Sequence, residues 1–132
     1  MTWEARHVSV AIAREPAEVV AYAGDPANLP AWAAGIASGV RRGDDGVWIT
    51  DSPMGEVTVR FAPANDLGVL DHDVALPGGG TVHNPFRVLP NADGSEVVFT
   101  VFRRDLMDED AFEADATAVR ADLERLKTIL EG

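Results

Sequence analysis

Five side chains in the middle of the sequence carry most of its capacity for chemistry: Asp71, His72 and Asp73 in a row, then His83 and Asn84. Two carboxylates and two imidazoles suit a transition-metal site, but on extended backbone successive side chains point to opposite faces. A hairpin turning at Pro77-Gly78-Gly79-Gly80 pairs Val74 with His83 and His72 with Pro85. It sends both histidines one way and both aspartates the other. Four ligands so divided cannot converge on one ion, and no metal is expected. On that register Asp71 stands mid-strand on a concave apolar face with Asn84 on the neighbouring strand. A carboxylate there loses hydration, so its pKa rises unless donors hold the charge. Within reach of a substrate atom it acts as general acid or base. Asp71 is therefore the candidate acid or base, and Asn84 the group that orients a carbonyl or hydroxyl. The competing reading is a structural aspartate, hydrogen-bonded to Asn84, Trp48 or backbone.

The same face collects Val69, Val82, Val88 and Val97, and a turn over residues 90–95 pairs Val88 with Val97 and Phe86 with Phe99. The expected walls of a cavity are Trp32, Trp48, Phe61, Phe86, Phe99 and Val101, with Phe112 and Val119 from a helix above. The two tryptophans offer flat surfaces suited to an aromatic or fused-ring ligand, with core packing as the plainer alternative. The opposite face, with Leu70, His72, Val74, His83, Arg87, Val98, Thr100 and Phe102, is apolar enough to predict a homodimer that covers part of it. No serine of Ser9, Ser38, Ser52 and Ser95 sits in a nucleophile elbow. The triple glycine lacks the Lys-Ser/Thr and following helix of a phosphate loop.

These side chains must be positioned by elements that hydrophobic periodicity makes legible. Phe112, Ala116, Val119, Leu123, Leu126 and Leu130 recur at helical spacing, so Asp108 to Leu130 is predicted as one long amphipathic helix. Asp108 is its N-cap, Glu109 and Asp110 suit its positive end, and Arg125 and Lys127 its negative end. Arg6 to Ala13 alternates as a half-buried strand. Pro16 starts a helix running to Ala23, and Asp25-Pro26 opens a second with Leu29, Trp32 and Ile36 inward. Strands are predicted at Val40–Arg42, Val47–Thr50, Val57–Ala62, Leu67–Val74, Thr81–Leu89 and Glu96–Arg103. Turns such as Asp51-Ser52-Pro53-Met54-Gly55 are too short for parallel crossovers, so the strands form an antiparallel meander.

Composition narrows the partners. Twenty-two acidic against eleven basic residues give a formal charge of −11, which repels nucleic acid over most of the surface. Cysteine is absent, ruling out disulfides and thiolate chemistry. There is no basic segment with an apolar run at the start and no stretch of roughly 18 apolar residues, so neither secretion nor a membrane is expected and the cytoplasm is the predicted location. One domain over residues 1–132, needing no cofactor, accounts for the whole pattern.

A strand, two short helices, six meandering strands and a long closing helix is the order of the α+β helix-grip fold, a curved antiparallel sheet wrapped around its C-terminal helix. Pro16-Ala17-Glu18-Val19-Val20-Ala21-Tyr22 running into Asp25-Pro26-Ala27-Asn28-Leu29-Pro30-Ala31-Trp32 resembles the helix pair of the START-like superfamily, also called SRPBCC or Bet v 1-like. Within it the chain is similar to the polyketide cyclase/dehydrase and lipid-transport group. That resemblance implies a pocket for a hydrophobic, cyclic or aromatic molecule, with cofactor-free cyclisation or dehydration as one expected activity. A non-catalytic carrier, sensor or interaction module is the other.

Overall fold

A computed structural model of the protein describes residues 1–36, 39–53 and 55–132. Ser38 and Met54, named above, fall outside the described residues. Alternation in the first strand, β1 (Ala5–Ile12), buries Val8, Val10 and Ile12. Pro16 occupies the first position of α1 (Pro16–Ala23), where its missing N–H costs nothing, and Val19 and Ala23 face inward. The second helix is shorter than expected. Asp25 accepts a hydrogen bond from the Ala27 N–H at 3.0 Å and starts a single turn at Pro26–Asn28. Then come α2 (Leu29–Trp32) and, after extended Ala33 (φ −101°, ψ 103°), another turn at Ala34–Ile36. Leu29 and Trp32 are nonetheless buried.

The strands that follow are β2 (Arg41–Arg42), β3 (Trp48–Ser52), β4 (Gly55–Phe61), β5 (His72–Ala75), β6 (Thr81–Asn84), β7 (Phe86–Asn91) and β8 (Gly94–Phe102). All pairings are antiparallel, in the orders β1-β8-β7 and β2-β3-β4-β5-β6. The run expected as one strand from Thr81 to Leu89 divides at Pro85, which has no N–H for the ladder. Backbone bonds from Leu70 N to Phe86 O (2.8 Å), Val88 N to Gly68 O (2.9 Å) and Thr100 N to Pro85 O (3.0 Å) join the two groups into one curved surface. The strand expected from Leu67 narrows to His72–Ala75 because the Asn65 side chain organises the preceding loop, accepting from the N–H groups of Leu67 and Val69.

Across this surface lies α3 (Glu109–Glu131), about 34 Å long at 1.5 Å per residue. Asp108 caps it, accepting from the Ala111 N–H at 2.8 Å. Phe112, Ala116, Leu123 and Leu126 are buried, and each large one contributes roughly 1.5–3 kcal/mol. Arg125 and Lys127 serve less as dipole partners than as ties: their side chains donate to the carbonyls of Trp32 (3.2 Å) and Ala11 (2.6 Å), fastening α3 to α2 and β1. Among the described residues no helix is long and apolar enough to cross a membrane.

One register differs from expectation, and it matters most. The loop between β5 and β6 has five residues, Leu76 to Gly80, not four; Leu76 N–H donates to Gly80 O and Gly79 N–H to Leu76 O, both at 3.1 Å. Gly79 and Gly80 both take positive φ (96° and 85°) to close it. Val74 therefore pairs with Val82 and His72 with Asn84. A slip of one residue exchanges the faces of a strand. Leu70, His72 and Val74 point inward, and Asp71 and Asp73 outward. The second hairpin keeps the expected pairs, Val88 with Val97 and Phe86 with Phe99.

Candidate ligand-binding site

Between α2, α3 and the concave face of the sheet lies a chamber of about 280 Å³. Trp32, Phe61, Val59, Val74, Phe99, Val119 and Leu123 supply most of its wall, and Leu29 and Ile36 close the helical side. Against this apolar lining stand four polar side chains, Ser52, His72, Asn84 and Asp122; Ser52 donates to the Gly55 carbonyl at 2.8 Å.

His72 occupies the inward position that the expected register gave to Asp71. Its ring lies 4.9 Å from that of Phe61, 5.8 Å from Phe99 and 6.1 Å from Phe86, centroid to centroid. Burial pushes the imidazole pKa down, and the Leu70 carbonyl and the Asp71 charge only partly oppose it. Nδ1 lies 3.1 Å from the Leu70 carbonyl oxygen. A carbonyl can only accept, so the tautomer that makes this bond carries its proton on Nδ1. Nε2 is then a free lone pair with no partner among the described residues. Asn84 is the directly opposed residue on β6, where paired Cβ atoms stand about 5 Å apart. Its amide likewise makes no hydrogen bond among the described residues. A proton acceptor and an amide, both unsatisfied, thus sit side by side in an apolar chamber.

Asp122 enters from α3. Burial raises its pKa, opposed by the Ala34 N–H that it accepts at 3.2 Å and by the Arg125 guanidinium bonded to it. The indole N–H of Trp32 is buried and has no acceptor among the described residues.

The other expected site residues are distributed as follows. Phe86 is fully buried behind Trp32 and Phe99, at 5.8 and 5.5 Å. Phe112 is core, with the Arg6 guanidinium 4.8 Å above its ring. Trp48 pairs with Val59 on the inner face but lies beyond the chamber wall, beneath the Arg42 guanidinium. Val101 borders a neighbouring recess.

Asp71 is the main correction. It faces away from the chamber, where Oδ1 accepts from Phe86 N and Arg87 Nε (2.8 Å each) and Oδ2 from Arg87 Nη2 (2.7 Å). Chiefly the Arg87 hydrogen bonds lower its pKa, the reverse of what an acid catalyst in a chamber needs. His83 stands on the same outer face, with Nδ1 2.6 Å from Asp73 and Nε2 3.9 Å from Asp71. The two histidines, expected on one face, therefore lie on separate faces, and His83 shares the outer one with both aspartates. Among the described residues no group of three or more such side chains is arranged to hold a metal. With Leu70 and Val74 turned inward, the outer face also loses half of the apolar residues that argued for a dimer. His72 and Asp122 were missed, and Asp122 had a signal: Asp115, Val119 and Asp122 follow at four and three, which sets two acids beside the apolar stripe of α3.

A curved antiparallel sheet gripping a long C-terminal helix, with an apolar chamber between them, defines a helix-grip protein of the Bet v 1-like class. The sequence model of the family described as polyketide cyclase / dehydrase and lipid transport matches residues 6–131, and the chain belongs to that family. No curated protein matches it. Among solved structures, an uncharacterised protein from Bacillus thuringiensis superposes with a TM-score of 0.78 at 17% identity, covering 98% of this chain and 100% of its own. DynU16, from the dynemicin biosynthetic locus, gives 0.73 at 14% identity over 96% of this chain and 47% of its own. Ara h 8.0201 gives 0.67 at 12% identity over 96% and 97%. At such identities the likeness is one of fold.

Proposed function

We propose that the chamber binds a hydrophobic, cyclic or aromatic small molecule whose hydroxyl or carbonyl group meets His72 and Asn84. The observation that carries this reading is the pair itself: Nε2 of a neutral imidazole and an unpartnered amide, adjacent on one wall of an otherwise apolar cavity. Both groups are reachable from the chamber, so a ligand can exchange solvent there for direct hydrogen bonds in an apolar setting, each contributing roughly 0.5–1.5 kcal/mol. Trp32, Phe61, Phe99 and Val119 supply the contact surface. Val101, Phe86 and Phe112 support it from behind or beside.

The same pair suits cofactor-free acid-base chemistry. His72 Nε2 takes a proton from the carbon between two carbonyls, Asn84 donates to the enolate oxygen, and the carbanion closes a ring on a second carbonyl. The imidazolium returns that proton to the new alkoxide, giving an alcohol; Nε2 then takes the second proton from the same carbon and passes it to the hydroxyl, which leaves as water as the C=C bond forms. The test is deuterium exchange at the acidic carbon of a phenyl-substituted β-diketone, followed by NMR in wild type and His72→Asn. Exchange above the buffer rate, lost in the variant, supports catalysis. Binding of the diketone without exchange assigns the protein to the second reading, a carrier of hydrophobic molecules. The chamber's volume, about 280 Å³, falls just under the lower end, about 300 Å³, of small-molecule sites, which favours a non-catalytic role for a core largely filled by its own side chains. No binding of any such probe would remove both.

A further inference from the structure

Beyond Pro85 the sheet parts. β6 remains paired with β5 while β8 continues along β1, and no ladder joins Thr81–Asn84 to Val101 and Phe102. A recess of about 490 Å³ occupies this gap. Its lining alternates through the sheet: Val82 and Asn84 belong to the concave face, Thr81 and His83 to the convex one. It also shares Asn84, Phe99 and Val119 with the chamber. The gap thus adjoins the polar end of the chamber from the outer surface. Arg104, at the turn that follows β8, stands on its wall. Among the described residues seven of the eleven cationic side chains in this acidic chain are ion-paired. Arg104 has no carboxylate within 4.0 Å among the described residues. Asp115, on α3 across the recess, has its pKa raised by burial and is near enough for the Arg104 charge to pull it back.

We propose that this gap is the entrance to the chamber and that Arg104 holds the anionic end of an amphiphilic ligand whose apolar body lies inside. The inference rests on the chamber's being a hydrophobic-ligand site. It adds the ligand's charge, its direction and the residue that reads them. A carboxylate, sulfonate or phosphate on the ligand meets a half-buried guanidinium that makes no salt bridge among the described residues and can donate two parallel hydrogen bonds. Asp115 acts in the opposite sense, as a neighbouring negative charge that limits how tightly an anion is held.

Two fluorescent probes with one ring system separate these elements: anilinonaphthalene sulfonate, which is anionic, and N-phenylnaphthylamine, which is neutral. Both should bind wild type, and Val119→Phe, which narrows the passage where recess and chamber meet, should weaken both. Arg104→Gln should weaken the sulfonate roughly tenfold, the loss of one charge-assisted contact, and leave the neutral probe unchanged. Asp115→Asn should tighten the sulfonate alone. If neither probe binds wild type, the chamber reading itself fails. If both bind and the sulfonate ignores Arg104→Gln, the chamber stands and the anion site falls. Equal weakening of both probes by Arg104→Gln would make the arginine structural and also overturn the proposal, as would sulfonate binding that is indifferent to Val119→Phe.

Discussion

The pH dependence of stability offers a direct test of where His72 lies. In the unfolded chain an imidazole takes up its proton near pH 6.5. In the folded protein burial among Phe61, Phe86 and Phe99 lowers that pKa, despite the Leu70 carbonyl and the Asp71 charge. Between the two values the unfolded state binds more protons, so the free energy of unfolding falls as pH falls. The slope for one site cannot exceed about 1.4 kcal/mol per pH unit. The loss begins near pH 6.5 and ends below the folded-state pKa. Other groups titrate too. Asp71, Glu113 and Glu131 have lowered pKa values, so their stabilisation disappears only as pH falls through those lower values. Asp115 and Asp122, raised by burial, protonate first in the folded chain and so contribute stability on acidification. Comparing wild type with His72→Asn cancels these terms. Asparagine keeps a donor near the position of Nδ1 and removes the titrating ring. Urea unfolding followed by tryptophan fluorescence should show the stability difference, wild type minus variant, declining as pH falls from roughly 7 to 5, at no more than about 1.4 kcal/mol per pH unit. A difference that stays constant over that range would refute a neutral, buried His72, and with it the free Nε2 on which the acid-base reading depends.

Two further outcomes separate the observed register from its neighbour. Asp71→Asn should cost about 1 kcal/mol, because it weakens the two-pronged contact with the half-exposed Arg87, and should leave N-phenylnaphthylamine affinity unchanged. Probe binding lost at unchanged stability would return Asp71 to the chamber. Gly68→Ala tests the seam that carries His72: Gly68 has φ +76°, and a Cβ there would sit 2.1 Å from the Val88 carbonyl oxygen. Backbone would have to move, at a cost of about 2–3 kcal/mol in urea unfolding, and a silent substitution would contradict the close approach of residues 68–70 to β7.

Much of the architecture is written in local patterns. The stripe from Phe112 to Leu130 specified α3 within a residue at each end, and Asp108 capped it as its type predicts. Alternation placed Val8, Val10 and Ile12 correctly, as well as Val57, Val59 and Phe61. What local pattern does not contain is loop length measured in three dimensions. Pro77 to Gly80 looked like the whole turn, yet Leu76 belongs to it, since its N–H closes onto Gly80 rather than onto a partner strand. Trp48 shows a second limit. Its face was legible, but its distance from the chamber depends on the curvature of β3 and β4, which no spacing of residues reports.

The error in register was nonetheless open to correction from energetics alone. The two options for residues 69–74 bury either Val69, Asp71 and Asp73 or Leu70, His72 and Val74. Placing two ionised carboxylates under α3 costs several kcal/mol each unless each finds a cation, and the inward-facing residues of β6 and β8, Val82, Asn84, Phe99 and Val101, provide none. An imidazole escapes that penalty by remaining neutral. The strand's own alternation therefore outweighs a guess about turn length. The same comparison explains why the chamber's chemistry falls to His72: of the three titratable residues Asp71, His72 and Asp73, it alone can be desolvated without a counter-ion and still offer a lone pair to a ligand.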